Sequence, residues 1–241
     1  MRESSPRTPH FGGAWREAGA VLDAVRLVTG LRRLRREPRG DGQPVLLIPG
    51  YGADEKALWT LRRYLGSLGY DARDWGLGRN LGNPQKSLPP VIEVVRELVA
   101  ETVRPVKLVG WSLGGFIARE VARERPDLVE QVVTLGTPVV GGPRFTIFAG
   151  AYRRRGYDLE AIQSEIERRN ATPIRVPVTA IVARHDGIVS PEACVDRSPG
   201  VDILEISTSH IGLLWSPAVY RAVARTLARG GELDQAARAA S

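Results

Sequence analysis

Val106-Lys107-Leu108-Val109-Gly110-Trp111-Ser112-Leu113-Gly114 opens on a short apolar run and passes through small residues into Leu113–Arg125, which is spaced as a helix. The run reads as a buried strand of a parallel sheet. Gly110 and Gly114 allow a turn from strand to helix so tight that side chains there would meet neighbouring backbone. Ser112 stands at the apex of that turn, its hydroxyl beyond the C-terminal end of the strand. A serine in this place also caps a helix, which is the plainer role open to it.

Working outward, the same alternation repeats. Val45-Leu46-Leu47-Ile48 stops at Pro49-Gly50, and Tyr70–Trp75, Val129–Leu135, Val178–Ala183 and Val201–Ile206 complete a set of six strands. Helical spacing fills Asp54–Ser67, Leu88–Val103 and Pro217–Arg229, the last with proline in its first turn. Strands alternating with helices predict an α/β architecture, doubly wound around a mostly parallel sheet. One interval breaks the rhythm. Residues 139–177 hold no strand but an apolar patch (Phe145, Ile147, Phe148, Tyr152) and an amphipathic helix over Leu159–Arg169. That is too long for a plain connection and reads as an inserted cap. The expected organisation is a basic extension over 1–43, disordered in its first ten residues, the α/β domain over 44–230 with the cap inside it, and a loose tail over 231–241.

A length of 241 residues suits one domain, and 43% apolar with 25% charged residues excludes disorder for the bulk of the chain. The single cysteine, Cys194, excludes an intrachain disulfide and a thiolate zinc site. There is no run of roughly 18 apolar residues, and Met1–His10 lacks the apolar core of a signal peptide, so a cytoplasmic protein is expected. Net charge is +7, concentrated in residues 1–40, where nine arginines face Glu3, Glu17, Asp23 and Glu37. Such a surplus can attract nucleic acid, but no nucleic-acid module accompanies it and no nucleic-acid partner is expected. A helix is predicted over 14–36. Val21, Leu22, Val25, Val28 and Leu31, with Leu34, form its apolar stripe, and Arg26, Arg32, Arg33, Arg35 and Arg36 lie mostly off it. The first expectation packs the stripe on the domain. The second lays the helix weakly on an anionic membrane surface. Arg153-Arg154-Arg155 reads as a solvated face of the cap. Gly76–Gly82 lacks the lysine of a phosphate-binding loop and reads as a turn. No spacing of His, Asp or Glu suggests a metal.

A serine hydroxyl is a poor nucleophile until a base takes its proton. Of the three histidines, His10 lies in the N-terminus, His185 beside a strand end, and His210 in the loop after the last strand, over the same sheet edge as Ser112. His210 is therefore the candidate base. A base needs an acid to hold its tautomer. Asp186 follows the strand Val178–Ala183 and emerges at that edge, while Asp196, in the loop before the last strand, and Asp202, at that strand's start, are its rivals.

The order Ser112, Asp186, His210 resembles that of the α/β-hydrolase superfamily, specifically small bacterial lipase-like and esterase-like serine hydrolases. The resemblance runs from Pro44 to Arg229 and rests on Pro49-Gly50-Tyr51-Gly52, the elbow around Ser112, Leu135-Gly136-Thr137-Pro138, Asp186 and His210. Pro49-Gly50 stands where His-Gly is common in such proteins. The resemblance implies an oxyanion hole formed by the backbone N–H groups of Tyr51 and Leu113, and no cofactor. It implies hydrolysis of a small-molecule ester with an apolar acyl group, bound by Trp111, Phe145, Phe148 and Leu213. A thioesterase, an acyltransferase and a catalytically silent binding protein are the alternatives on the same residues. Dehalogenases of this fold carry aspartate at the elbow, so Ser112 argues against them.

Overall fold

The computed structural model describes residue 17 and residues 19–239, and the backbone alone at 28, 29, 31, 32 and 230–239. The expectations for residues 1–10, for His10, for a helix start at 14 and for the side chains of Val28 and Leu31 lie outside the described residues. Six strands, β1 (Pro44–Ile48), β2 (Asp71–Asp74), β3 (Val106–Trp111), β4 (Val129–Leu135), β5 (Val178–Ala183) and β6 (Val201–Ile206), form one sheet in the order β2-β1-β3-β4-β5-β6. Every neighbouring pair is parallel, as the alternation predicts.

Successive strand side chains point to opposite faces, so a strand covered on both sides is mostly apolar. Leu46, Ile48, Val106 and Leu108 pack with α3 (Pro84–Thr102) and α4 (Leu113–Glu124). Val45, Leu47, Val109 and Trp111 pack on the other face with α2 (Trp59–Ser67), the start of α8 (Pro217–Ala239) and Leu27 and Leu34 of α1 (Gly19–Leu34).

Several boundaries differ from expectation. The Asp54–Ser67 stretch divides into a 3₁₀ turn, Glu55–Leu58, and α2. α3 begins at Pro84 because the Asn83 side chain accepts the Lys86 N–H and proline fits the first helical position. α8 continues to Ala239 where a loose tail was expected, since Leu233, Ala236 and Ala237 favour helix strongly enough to carry it past Gly230-Gly231.

α1 is turned differently from expectation. It packs on α8 and on the 3₁₀ turn Gly212–Leu214. Among the described side chains of α1, Ala20, Asp23, Leu27 and Leu34 are buried, and Tyr64 Oη donates to Leu34 O at 3.2 Å. Val21, Leu22 and Val25 face outward, 68%, 60% and 59% exposed. Leu27 and Leu34 are seven residues apart and stack on one face, and Gly30 between them lies near Pro217.

The 139–177 segment is helical, as a cap without strands. It comprises the 3₁₀ turn Gly142–Phe145, α5 (Ala149–Arg154) and α6 (Leu159–Asn170), and an isolated bridge joins Thr146 to Val189. Arg153, Arg154 and Arg155 are exposed. Among the described residues, no helix is long and apolar enough to cross a membrane.

Candidate active site

The winding of the sheet reverses between β1 and β3, where the connections depart to opposite faces. Such a switch point leaves a crevice beyond the carboxyl ends of the strands. The loop after β1 carries Tyr51 and the turn after β3 carries Ser112, and both line one cavity of about 360 Å³ at that edge.

Ser112 has φ 54° and ψ −121°, a conformation that costs a non-glycine residue roughly 1–3 kcal/mol. The surroundings hold it there. Its N–H donates to Leu135 O at 2.7 Å, and its carbonyl accepts from Thr137 Oγ1 at 2.9 Å and Gly115 N at 3.0 Å. A Cβ on Gly110 would lie 2.4 Å from Gly114 backbone, and one on Gly114 would lie 2.1 Å from Ile48 O. Glycine is required at both positions by close approach. Leu113 begins α4, so its N–H has no carbonyl partner within the helix and points to where negative charge is favoured.

His210 and Asp186 come together from the loops after β6 and β5. His210 Nδ1 and Asp186 Oδ2 are 2.7 Å apart, with both side chains buried. Asp186 Oδ1 accepts from Ile188 N at 2.9 Å and Val189 N at 2.7 Å, which fixes the carboxylate. The imidazole rests near the elbow. Its ring centroid is 5.3 Å from that of Trp111, and a Cβ on Gly136 would meet Nδ1 at 3.0 Å. With Nδ1 engaged by Asp186, Nε2 is the nitrogen available to exchange a proton. The rival acids are placed elsewhere. Asp196 is buried in an ion pair with Arg119, and Asp202 sits at the start of β6, far along the strand from the loop edge. His185 bonds Ser207 Oγ at 3.0 Å through Nε2.

A family model described as "Alpha/beta hydrolase family" matches residues 45–237. The chain belongs to that family. Curated relatives include a pimeloyl-[acyl-carrier protein] methyl ester esterase of Aliivibrio fischeri, 28% identical over 114 residues. That match covers 47% of this chain and 42% of the relative, so the chain spans less than half the length of the protein it matches. Among solved structures, a monoacylglycerol lipase of Paleococcus ferrophilus aligns with TM-score 0.57 at 19% identity, over 78% of this chain and 96% of that one. A thioesterase domain from the curacin biosynthetic pathway aligns with TM-score 0.54 at 16% identity, over 78% and 92%.

In this α/β hydrolase the cavity is floored by α4, with Leu113, Phe116, Ile117 and Glu120, and roofed by the cap, with Phe148, Tyr152, Ile162 and Ile166. Phe148 meets Tyr51 edge-on, centroids 5.4 Å apart, and Tyr152 lies 5.7 Å from the same ring. At the far end Arg169 of α6 bonds Glu120 and Glu124 of α4, which latches the cap to the floor. Three residues expected at the substrate do not line this cavity. Phe145 packs under the Arg144 guanidinium and against Gly141, because extended Thr146 (φ −125°, ψ 160°) breaks the common face with Phe148. Trp111 and Leu213 belong to the core beneath the α1 and α8 side of the sheet, Trp111 donating its Nε1–H to His210 O at 3.3 Å.

The sequence reading does not find the residue that ties down the Tyr51 loop. Asn80, fully buried, ties the Tyr51 loop in place. Its Nδ2 donates to Pro49 O at 2.9 Å, its carbonyl accepts from Gly52 N at 2.8 Å, its N–H donates to Ala53 O at 2.9 Å, and Oδ1 accepts from Gly82 N at 3.1 Å. The signal was Arg79-Asn80-Leu81 inside a run of glycines, which by itself says only turn.

Proposed function

We propose that this protein is a serine hydrolase that cleaves carboxylic esters with an apolar, short-to-medium acyl group. The observation that carries the reading is a strained Ser112 lining an apolar cavity, together with a buried His210–Asp186 pair whose imidazole lies 5.3 Å from the ring of Trp111, the residue before Ser112. In this mechanism His210 Nε2 accepts the Ser112 proton as Oγ attacks the ester carbonyl. Asp186 holds Nδ1 protonated and stabilises the imidazolium. The N–H groups of Leu113 and Tyr51 receive the oxyanion. The imidazolium returns its proton to the leaving alcohol, and water, activated by the same His210, releases the acid from the acyl-enzyme. The family's esterases and lipases support ester over thioester, and a thioesterase reading is the alternative.

Acyl length follows from the floor. Ser112 and Glu120 are eight residues apart along α4, roughly 12 Å at 1.5 Å per residue, and the polar Glu120–Arg169 latch closes that end. A p-nitrophenyl ester series should therefore peak at short-to-medium acyl chains and fall for long ones. A flat or rising profile would count against the cavity as acyl site. In the same series, Phe148→Ala should shift the preferred length while leaving the melting temperature within a few degrees, since Phe148 is only half-buried at the cavity roof. A core phenylalanine would instead lose about 3–5 kcal/mol.

Asn80→Ala should lower kcat by about tenfold to a hundredfold, less than outright loss of an oxyanion donor. It should also cost about 1–3 kcal/mol through the unpaired Pro49 carbonyl. Steady-state kinetics with thermal melting separates the two effects, and an unchanged kcat would remove Tyr51 from the oxyanion hole.

We further infer that α1 rests on anionic lipid. Val21, Leu22 and Val25 form an outward apolar face, and exposed Arg26 lies one turn from Leu22, with exposed Arg33 about three turns on along the same side. The protein should float with vesicles containing phosphatidylserine and not with neutral ones, and Val21→Asp/Val25→Asp should abolish flotation. Equal recovery with and without these changes would contradict it.

A further inference from the structure

The family match begins at residue 45, yet a residue well before it reaches the catalytic loops. The Glu17 carboxylate accepts three backbone N–H groups, with Oε1 taking Gly187 N at 3.0 Å and His210 N at 3.2 Å, and Oε2 taking Ile211 N at 2.7 Å. Gly187 follows Asp186, and Ile211 follows His210. One carboxylate thus joins the loop of the acid to the loop of the base, at the two residues whose 2.7 Å contact sets the imidazole.

Six residues on, Asp23 makes a second tie to the base's loop. Thr208 Oγ1 donates to its Oδ2 at 2.6 Å in a buried setting. Gly212 is shaped to this approach, since a Cβ there would lie 2.3 Å from Thr208 Oγ1 and 2.9 Å from Asp23 Oδ2. α1 is itself anchored, through Leu27 and Leu34 in the core and Gly30 against Pro217. Nearer the sheet the loops are also joined by Arg184 N to Ile206 O at 2.9 Å and His185 N to Thr208 O at 3.0 Å. Those bonds continue the β5–β6 ladder. Beyond them, among the described residues, Glu17 spans from Gly187 to His210 and Ile211 alongside the Asp186–His210 contact itself.

We propose that Glu17 is a positioning residue for catalysis, a buckle that fixes the His210 loop against the Asp186 loop. Three charge-assisted bonds to main-chain donors are stronger than neutral ones and leave the loops little freedom. A small displacement of a catalytic group is enough to cost on the order of 100-fold in rate. Glutamine can replace only part of the buckle. Its Oε1 can keep the Gly187 and His210 amides, while its NH₂ would face the Ile211 N–H donor to donor.

The inference rests on Ser112 as nucleophile and His210 as base, and the test keeps the two apart. In the full chain, Glu17→Ala and Glu17→Gln are compared with wild type in p-nitrophenyl butyrate turnover, with active sites titrated by the acyl-enzyme burst. The downfield proton resonance of His210 Nδ1–H, assigned by its loss in His210→Gln, is followed in parallel. Glu17→Ala should lower kcat per titrated site by roughly 10- to 100-fold, leave KM within about threefold, and broaden or shift the resonance, with Glu17→Gln between it and wild type. A fall in melting temperature or in active fraction, with kcat per site and the resonance unchanged, would overturn the proposal. Should wild type show neither turnover nor burst, the esterase reading fails. The resonance then decides the buckle alone: an unchanged signal in Glu17→Ala refutes it, and a broadened one upholds it.

Discussion

Ser112→Ala is expected to reduce ester hydrolysis by about 10⁴-fold or more in kcat, the scale on which removal of an activated nucleophile leaves only binding and oxyanion stabilisation. The fold should survive. The bonds that hold this turn use the main chain of residue 112, to Leu135 O and from Thr137 Oγ1 and Gly115 N, and alanine keeps them all. Alanine also keeps the strain of φ 54°. Ser112→Gly relieves it, and should be equally inactive but melt at or above the wild-type temperature, because roughly 1–3 kcal/mol of strain relief outweighs the smaller entropic cost of glycine. Initial rates on p-nitrophenyl esters, with melting curves for both variants, check the pair. Near-normal turnover in either variant would remove Ser112 from the mechanism.

Asp186→Asn is the second large effect. Both carboxylate oxygens have work to do, Oδ1 with the amides of Ile188 and Val189 and Oδ2 with His210 Nδ1. Asparagine can leave its oxygen with the amides, which turns its NH₂ toward Nδ1. Nδ1 must then accept, Nε2 must carry the proton, and the imidazole can no longer take one from Ser112. The expected loss is about 10⁴ in kcat with little change in fold. Asp196→Asn is the contrast. It breaks a buried ion pair with Arg119, so it should cost about 3–5 kcal/mol of stability and leave kcat per active site near normal. Kinetics and melting of the two variants side by side check the assignment, and the reverse pattern would make Asp196 the acid.

The architecture was legible because a doubly covered strand needs mostly apolar residues on both faces, and Val45–Ile48, with Val178–Ala183 but for Thr179, meets that need locally. Ser112, Asp186 and His210 were legible because each follows a strand, and parallel strands bring such loops to one edge. What stayed hidden depends on contacts across the chain. α1 has apolar side chains on two faces, and its packing on α8 and on the Gly212–Leu214 turn decides that Leu27 and Leu34 turn inward while Val21 and Val25 turn out. Phe145 and Phe148 share a spacing, but one extended residue at Thr146 separates them. Asn80 and Glu17 act on loops 31 and about 190 positions away, as their bonds to Pro49 and to His210 show, so no periodicity carries them.

The most direct test of Ser112 as an activated nucleophile is covalent labelling. The native protein is treated with a fluorophosphonate, digested, and the modified peptide sequenced by mass spectrometry. A single adduct on Ser112, absent when the protein is unfolded first and strongly slowed in His210→Gln, is the predicted result. Absence of an adduct from active-fold protein, or an adduct on another serine that persists in Ser112→Ala, would contradict it.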